Sequence, residues 1–157
     1  MQRPGSIRST APDVIREAGG VRVIRYGVAM ANYRYTKDER LTIEVLVFKM
    51  DPAHVEEYLA VDHEVWTLGE AFLPGFDRIP FVSKEVWLDD SRPGVVTLVF
   101  VWESLDAWMS VGSEEIQKRL QAEFDAKFPH PIELIEAWHE DNNFGLHRWS
   151  RFERSEE

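Results

Sequence analysis

The sequence of 157 residues contains no cysteine. That absence excludes disulfide scaffolds, thiolate nucleophiles, cysteine-ligated zinc and iron–sulfur clusters. It also means that cysteine usage gives no indication of the redox compartment in which the protein works. No apolar run approaches the roughly 18 residues of a membrane span, and residues 1–10 lack the apolar segment of a secretory signal. We therefore expect a cytoplasmic protein without a membrane partner. The arginines and hydroxyl residues of this segment leave a transit peptide as the alternative, which Asp13 and Glu17 oppose.

Basic residues are also scarce. The 18 Lys and Arg stand against 28 Asp and Glu, which gives a net charge of −10. A chain with this charge and no basic face repels phosphate backbones and anionic lipid, so we expect no nucleic-acid partner. With 44% apolar and 29% charged residues, the composition is that of a globular protein, and its length predicts one domain that folds without disulfide or metal.

Metal and cofactor motifs are missing as well. His54 and His63 do not share a helical face, His130, His139 and His147 are scattered, and no H-x-x-x-H spacing occurs. The sequence contains no G-x-G-x-x-G, no P-loop and no G-x-S-x-G. We therefore predict no metal site, no cofactor and no covalent catalysis by serine or cysteine.

Residues 41–140 carry a clear pattern of secondary structure. The pattern predicts strands over 41–49, 81–88, 94–102 and 132–140, a long helix from Pro52 that ends at Pro74-Gly75-Phe76, and shorter helices after the N-cap serines Ser104 and Ser113. This βαββαβ order is the α+β, ferredoxin-like motif, with helices on one face of an antiparallel sheet. The first and third strands are apolar at nearly every position, whereas Lys84, Glu85, Glu133 and Glu136 mark the second and fourth as edges, which gives the order 4-1-3-2.

The first strand is apolar on both faces, yet two helices cover only one face of the sheet. A second copy of the chain, packed sheet against sheet as a homodimer, is the predicted cover. Residues 21–35 are the alternative cover or an addition to the sheet edge. The predicted organisation is an N-terminal extension over 1–40 that forms an extra strand or arm, a dimeric α/β-barrel domain over 41–140, and a polar C-terminal tail over 141–157.

Asp62 breaks the apolar stripe of the long helix. On a helical wheel of about 100° per residue, it falls in the middle of the face that Val55, Leu59 and Trp66 form. A buried carboxylate needs a hydrogen-bond or ionic partner. Asp62 is therefore either a structural acceptor for an indole or backbone N–H, or a catalytic acid or base in a pocket. His63, at the edge of the stripe, is the second candidate catalytic residue.

Tryptophan is abundant, with six residues in the chain. Trp66, Trp87, Trp102 and Trp108 fall close to the predicted seam between helices and sheet, where they form either plain core or the wall of an apolar slot for a small molecule. Glu44 and Glu85 are further carboxylates in apolar strands. They either pair across the sheet with a Lys or Arg, or approach Asp62 so that the pKa values of the two acids separate.

Four strings carry a resemblance to a known family: VDHEVWT at 61–67, PGF at 74–76, KEVWL at 84–88 and VTLVFVWES at 96–104, with another Trp six residues after Trp102. Over about residues 41–140 the chain resembles a bacterial family of small dimeric α/β-barrel proteins, related in fold to the antibiotic-biosynthesis monooxygenases. The resemblance implies a ferredoxin-like protomer that pairs sheet to sheet. It leaves the activity open, because the superfamily includes cofactor-free oxygenases and haem enzymes, and because a fold does not fix a function.

Three hypotheses for the function follow, and they leave open whether the protein is an enzyme. The first is a cofactor-independent, monooxygenase-like enzyme for an aromatic or polyketide-like molecule, with Asp62 and His63 as catalytic residues. In this hypothesis the substrate-binding residues are Trp66, Glu85, Trp87, Trp102 and Trp108. The second is a non-catalytic binding or interaction module. The third is a haem-binding protein, with His63 or another histidine as the ligand. The resemblance implies that haem-degrading members use an Asn on the first strand and a His on the second helix. Strand 41–49 has no Asn and helix 113–128 has no His, which disfavours that type of site.

Overall fold

The computed structural model describes residues 13–16, 22–25, 32–74 and 81–155. Its elements, in chain order, are β1 (Asp13–Arg16), β2 (Arg22–Arg25), β3 (Asn32–Met50), a 3₁₀ turn (Pro52–His54), α1 (Val55–Val61), a π-helix (Asp62–Thr67), α2 (Leu68–Ala71), β4 (Phe81–Leu88), β5 (Val95–Trp102), α3 (Leu105–Val111), α4 (Glu114–Lys127), β6 (Ile132–Ala137), α5 (Trp138–Asn142) and β7 (His147–Ser155). The chain divides into two compact units, one of residues 1–39 and 148–157 and the other of residues 40–147.

The smaller unit is built from strands. β1 pairs antiparallel with β2, and β2 pairs antiparallel with the first residues of β3. β7 also pairs with β3. Side chains also link β3 to β7. Arg34 forms an ion pair with Glu153, and the rings of Tyr33 and Phe152 stack in parallel with centroids 4.9 Å apart. Residues 21 and 26–31 of the segment 21–35 lie outside the described residues, so its predicted role as a cover stays a prediction.

The larger unit contains the ferredoxin-like sheet. β5 lies between β4 and β3, and β6 pairs with the other side of β3, with every pairing antiparallel. The spatial order is therefore β6-β3-β5-β4, which confirms the predicted order 4-1-3-2 and the central place of the two most apolar strands. A tight turn precedes β5 at Gly94, whose φ is +87° and where a Cβ would collide with the carbonyl oxygen of Met50. Only glycine fits this turn.

The helices pack on one face of this sheet. Val96, Leu98, Phe100 and Trp102 of β5 join a core that includes Tyr58 and Val65 from the long helical segment and Leu120 and Phe124 from α4. Because side chains alternate along a strand, the intervening residues of β3 and β5 face the opposite side. There Val45, Val47 and Val95 form a second buried cluster, against which Ile135 and Leu146 pack. This face is thus partly covered within the larger unit.

Several element boundaries differ from the sequence prediction. The first strand begins at Asn32 rather than at residue 41, and residues 147–155 form β7 within the predicted polar tail. The prediction of a strand through Glu140 is wrong, since residues 138–142 form α5. The reason is that β6 loses its partner: its ladder with β3 ends at Ala137 opposite Leu46, and the backbone N–H of Ile43 donates instead to the carbonyl of Leu146.

The helix caps behave in part as predicted. The Ser104 hydroxyl accepts a hydrogen bond from the backbone N–H of Ala107 at 3.0 Å, which confirms it as the N-cap of α3. Ser113 stands at the N-cap position of α4 without a capping bond from its side chain. Of the predicted helix terminator, Gly75 and Phe76 lie outside the described residues.

Candidate functional site

A cavity of about 370 Å³ lies between the helices and the sheet of the larger unit. Its wall is mostly aromatic and aliphatic and contains three carboxylates. The lining residues are Glu44, Leu46, Phe48, Tyr58, Asp62, Trp66, Glu70, Leu98, Phe100, Trp102, Trp108, Val111, Gly112, Gln117, Gln121, Phe124 and Ile132. An apolar cavity of this size with a few converging polar groups is the usual form of a small-molecule site.

Asp62 is paired with a lysine rather than with an indole. The Nζ of Lys84, on β4, donates to Asp62 Oδ2 at 2.5 Å and to Thr67 Oγ1 at 2.6 Å. Both charged side chains are almost fully buried, and the ammonium also lies 5.0 Å from the centroid of the Phe100 ring. Burial raises the pKa of the Asp62 carboxyl, and Lys84 acts in the opposite direction. Asp62 therefore has the partner that its place in the apolar stripe requires.

A β-bulge turns Lys84 toward the helices. The register of β4 against β5 shifts between Phe81 and Ser83. Phe81 packs against Phe100 and Trp102 on the helix side of the sheet. Without the bulge, a residue three positions later would face the opposite side, because strand side chains alternate. The extra residue in the strand thus directs the ammonium into the core.

The π-helix places both acceptors for that ammonium on one side. An α-helix has 3.6 residues per turn, so residues five apart, such as Asp62 and Thr67, would point in different directions. In a π-helix the backbone bond joins residues i and i+5, as it does where the N–H of Leu68 donates to the carbonyl of His63. Asp62 and Thr67 therefore lie side by side, and one lysine reaches both of them.

Glu44 is the second buried carboxylate, and it is held by tryptophans. Its Oε2 accepts hydrogen bonds from the indole Nε1 of Trp102 and of Trp108, each at 2.9 Å. Burial raises the pKa of the Glu44 carboxyl, while the two indole bonds favour the charged form. The indole N–H groups thus bond Glu44, and not Asp62, which the sequence had offered as their acceptor.

Glu70, which sequence reasoning missed, is the third carboxylate in the wall. Burial and the neighbouring charge of Glu44 raise its pKa from 4.5 to about 7, while Gln117 and Lys84 act against the rise. The sequence does contain a signal for Glu70. It lies eight residues after Asp62 and falls beside the apolar stripe on the same helical wheel. Of the described groups, Lys84 alone is a cation that acts on all three carboxylates.

The structure brings together four of the seven residues predicted for the site. Asp62, Trp66, Trp102 and Trp108 line the cavity. The other three are exposed and lie outside its lining: His63 on the helix, and Glu85 and Trp87 on β4. Lys84 faces the helices, so strand alternation directs Glu85 and Trp87 to the opposite face. None of these three side chains lines the cavity, and their roles stay predictions.

Two histidines that are far apart in sequence meet at one end of the larger unit. The rings of His54 and His130 stack with centroids 3.7 Å apart, and His130 Nε2 lies 3.1 Å from Glu57 Oε2. Ligand atoms of these three residues lie within 4.8 Å of one another, close enough to hold a metal ion. Their separation along the chain explains why no spacing motif indicated the cluster.

Comparisons with known proteins give the following picture. Neither a protein-family model nor a curated protein matches this chain. Among solved structures, it is similar to a protein of Caulobacter crescentus CB15 that is named as a candidate antibiotic biosynthesis monooxygenase, with 15% identity and a TM-score of 0.43 over 76% of this chain and 93% of that one. A protein of Bacteroides thetaiotaomicron VPI-5482 with the same kind of name matches with 19% identity and a TM-score of 0.43 over 62% and 88% of the two chains.

A third match is a conserved protein of Methanosarcina mazei Go1, with 14% identity and a TM-score of 0.40 over 75% and 96% of the two chains. The first two matches carry the name of the group to which the sequence shows a resemblance, the antibiotic biosynthesis monooxygenases. Because the TM-scores are below 0.5, the fold assignment rests on the strand order and on the placement of the helices.

The Asp62–Lys84 pair predicts a large loss of stability when one partner is removed. Lys84→Met leaves a buried carboxylate without its cation, so we expect a loss of about 3–5 kcal/mol in the free energy of unfolding. The double variant Asp62→Leu with Lys84→Met removes both charges and should recover most of that loss. Urea denaturation at pH 7.5 measures each value.

A surface ion pair serves as the control. Lys127 pairs with Glu64, and their side chains are 39% and 60% exposed. Lys127→Met should therefore cost at most about 1 kcal/mol. A loss in Lys84→Met no larger than that in Lys127→Met would contradict the assignment of a buried pair.

Glu70 predicts a pH-dependent gain of stability on its removal. The folded protein, with a Glu70 pKa of about 7 against the ordinary 4.5, binds this proton more tightly than the unfolded chain does. Glu70 therefore lowers stability progressively as the pH rises from about 4.5 through 7, and has no such effect below 4.5. The free energy of unfolding of Glu70→Gln, relative to that of wild type, should rise by about 3 kcal/mol between pH 4.5 and pH 8.

Urea denaturation of wild type and Glu70→Gln at the two pH values tests this. The matched control is Glu85→Gln, which removes an exposed carboxylate outside the cavity and should change the free energy of unfolding by at most about 0.5 kcal/mol. A pH-independent difference for Glu70→Gln would show that this carboxyl titrates alike in the folded and unfolded states.

Proposed function

We propose that the cavity binds an aromatic small molecule, and that the protein is a cofactor-independent, monooxygenase-like enzyme acting on it. One observation carries this proposal: three carboxylates are kept in the wall of an aromatic-lined cavity. A purely structural core would gain stability from apolar residues at these positions, because burying a charge is costly. Groups with raised pKa values that converge on a cavity are typical of acid–base sites.

Glu70 is the proposed general base. Its pKa of about 7 lets it accept a proton near neutral pH and release it again. Asp62 is already paired with Lys84, so we assign it to positioning the lysine rather than to proton transfer. His63 takes no part in this scheme, since its side chain lies outside the cavity lining.

The reaction needs no cofactor if the substrate is itself the reductant. A hydroxyarene that loses a proton to Glu70 becomes electron-rich enough to react with dioxygen at a ring carbon. One oxygen atom then enters the ring as a carbonyl and the other leaves as water, with all four electrons supplied by the substrate. For 1-naphthol the balance is C₁₀H₈O + O₂ → C₁₀H₆O₂ + H₂O.

The cavity does not support the alternative hypothesis of a haem-binding protein. No histidine is among the described residues that line it, so a haem bound there would find no imidazole ligand in the lining. Adding haemin and recording the Soret region tests this alternative directly.

Oxygen uptake with 1-naphthol tests the proposed function. We expect uptake together with the absorbance of 1,4-naphthoquinone, at a rate that rises with pH through about 7. Glu70→Gln should lower the rate by at least about 100-fold, as expected for removal of a general base. Leu46→Trp, which fills the cavity, should also abolish turnover, whereas the exposed Leu134→Trp should not.

The outcomes separate the hypotheses. Uptake that is unchanged in both Glu70→Gln and Leu46→Trp would contradict the proposal. Binding of 1-naphthol to wild type without oxygen uptake would support the non-catalytic binding module instead.

We further propose that a second copy of the chain covers the outer face of the sheet, the face opposite the helices. Trp87 is 59% exposed there, next to the partly exposed Val99 and Thr97 of β5. An exposed tryptophan on a sheet face is typical of a protein contact surface. A two-fold axis would bring this face of one copy against the same face of the other.

Light scattering measures the oligomeric state. Wild type should have twice the 18.3 kDa mass of one chain, and Trp87→Asp should have the mass of one chain. The control is Met109→Asp, which alters an equally exposed apolar residue on α3 and should leave the dimer intact. A monomeric wild type would contradict the proposed dimer.

A further inference from the structure

Among the described residues, the lining of the cavity contains three acidic side chains and no basic one. Glu44, Asp62 and Glu70 line it, and Lys84, which is bound to Asp62 and Thr67, neutralises one of them. Glu44 is hydrogen-bonded to two neutral indoles and, within the part of the chain that the structure describes, to no cation. An anionic ligand would add repulsion at short range in a poorly solvated space, whereas a cationic ligand would relieve it.

Glu44 is built as an anchor for such a cation. Its Oε2 is fixed by the indole N–H groups of Trp102 and Trp108, each at 2.9 Å. Among the described residues, both hydrogen bonds that this carboxylate accepts are to Oε2. The other oxygen, Oε1, belongs to a side chain that lines the cavity and is free to accept a hydrogen bond from a ligand.

The surroundings of Glu44 also suit a cation. Three indole rings line the cavity, those of Trp66, Trp102 and Trp108. Tryptophan is the aromatic side chain that attracts ammonium groups most strongly, and a carboxylate adds a charge-assisted hydrogen bond. Aromatic rings together with one fixed carboxylate are the combination that recognises protonated amines.

We propose that the ligand of this cavity is an arylalkylamine, an aromatic ring that carries a protonated alkylamine, whose ammonium group binds Glu44 Oε1 while its ring lies among the tryptophans. This inference rests on the proposed function, since it names the chemical class of the molecule that the same cavity holds. It assigns Glu44 to substrate recognition and leaves Glu70 as the base.

Isothermal titration calorimetry at pH 7.5 with three probes of similar shape tests the inference. The probes are tryptamine (a cation), 3-ethylindole (neutral) and indole-3-propionate (an anion). We expect wild type to bind tryptamine at least about tenfold more tightly than 3-ethylindole, and indole-3-propionate most weakly of the three.

Glu44→Gln is the matched variant, because the amide keeps an acceptor oxygen for the indoles and removes the charge. It should weaken tryptamine binding at least about tenfold and leave the 3-ethylindole Kd within about twofold. The control Glu85→Gln, an exposed carboxylate outside the cavity, should leave all three affinities unchanged. If Glu44→Gln fails to fold, the ranking of the probes with wild type decides the matter.

The possible failures differ. Equal affinity for tryptamine and 3-ethylindole, or an unchanged tryptamine Kd in Glu44→Gln, would overturn the inference while the proposed aromatic site stands. If none of the three probes binds, the inference is overturned, and oxygen uptake with 1-naphthol decides the proposed function separately.

Discussion

Three carboxylates buried around one cavity, with one lysine acting on all of them, set the constraint on which the site depends. Each buried charge costs free energy unless a partner offsets it, and the three acids resolve this in different ways. Asp62 binds Lys84, Glu44 binds two indoles, and Glu70 takes a raised pKa. The arrangement is more costly than an apolar core would be. We propose that the arrangement serves function, with Glu70 as a base, Glu44 as an anchor and Lys84 as a fixed cation within one apolar space.

The fold brings these groups together through irregular features rather than regular ones. The ferredoxin-like order places β3 and β5 at the centre, so Glu44 and Trp102 come from buried strands. The bulge in β4 turns Lys84 inward, and the π-helix sets Asp62 beside Thr67. Both features are local departures from ideal geometry of the kind that often marks functional sites. A regular helix and a regular strand with the same sequence would separate the ion pair.

The sequence predicted the regular part well for a physical reason. The apolar runs of the first and third strands and the charged second and fourth strands determine the strand order, because burial on two faces or one is visible in composition. Asp62 was found because it violates the helical stripe. Lys84 was interpreted as a mark of an edge strand, since one inserted residue reverses the direction of a side chain and no pattern shows where a bulge lies. Glu85 and Trp87 were placed at the site because they stand in the string KEVWL, which carries part of the family resemblance, and the structure puts them on the opposite face.

The ionisation of the three buried acids is the property from which the function is argued. A titration of wild type that follows the side-chain carboxyl ¹³C resonances of Glu44, Asp62 and Glu70 by NMR measures it directly. The account predicts that Glu70 titrates near pH 7 and that the other two titrate above their ordinary values. Titration of all three between about pH 4 and 5, as exposed acids do, would show that the cavity is open to water and would contradict the proposed site.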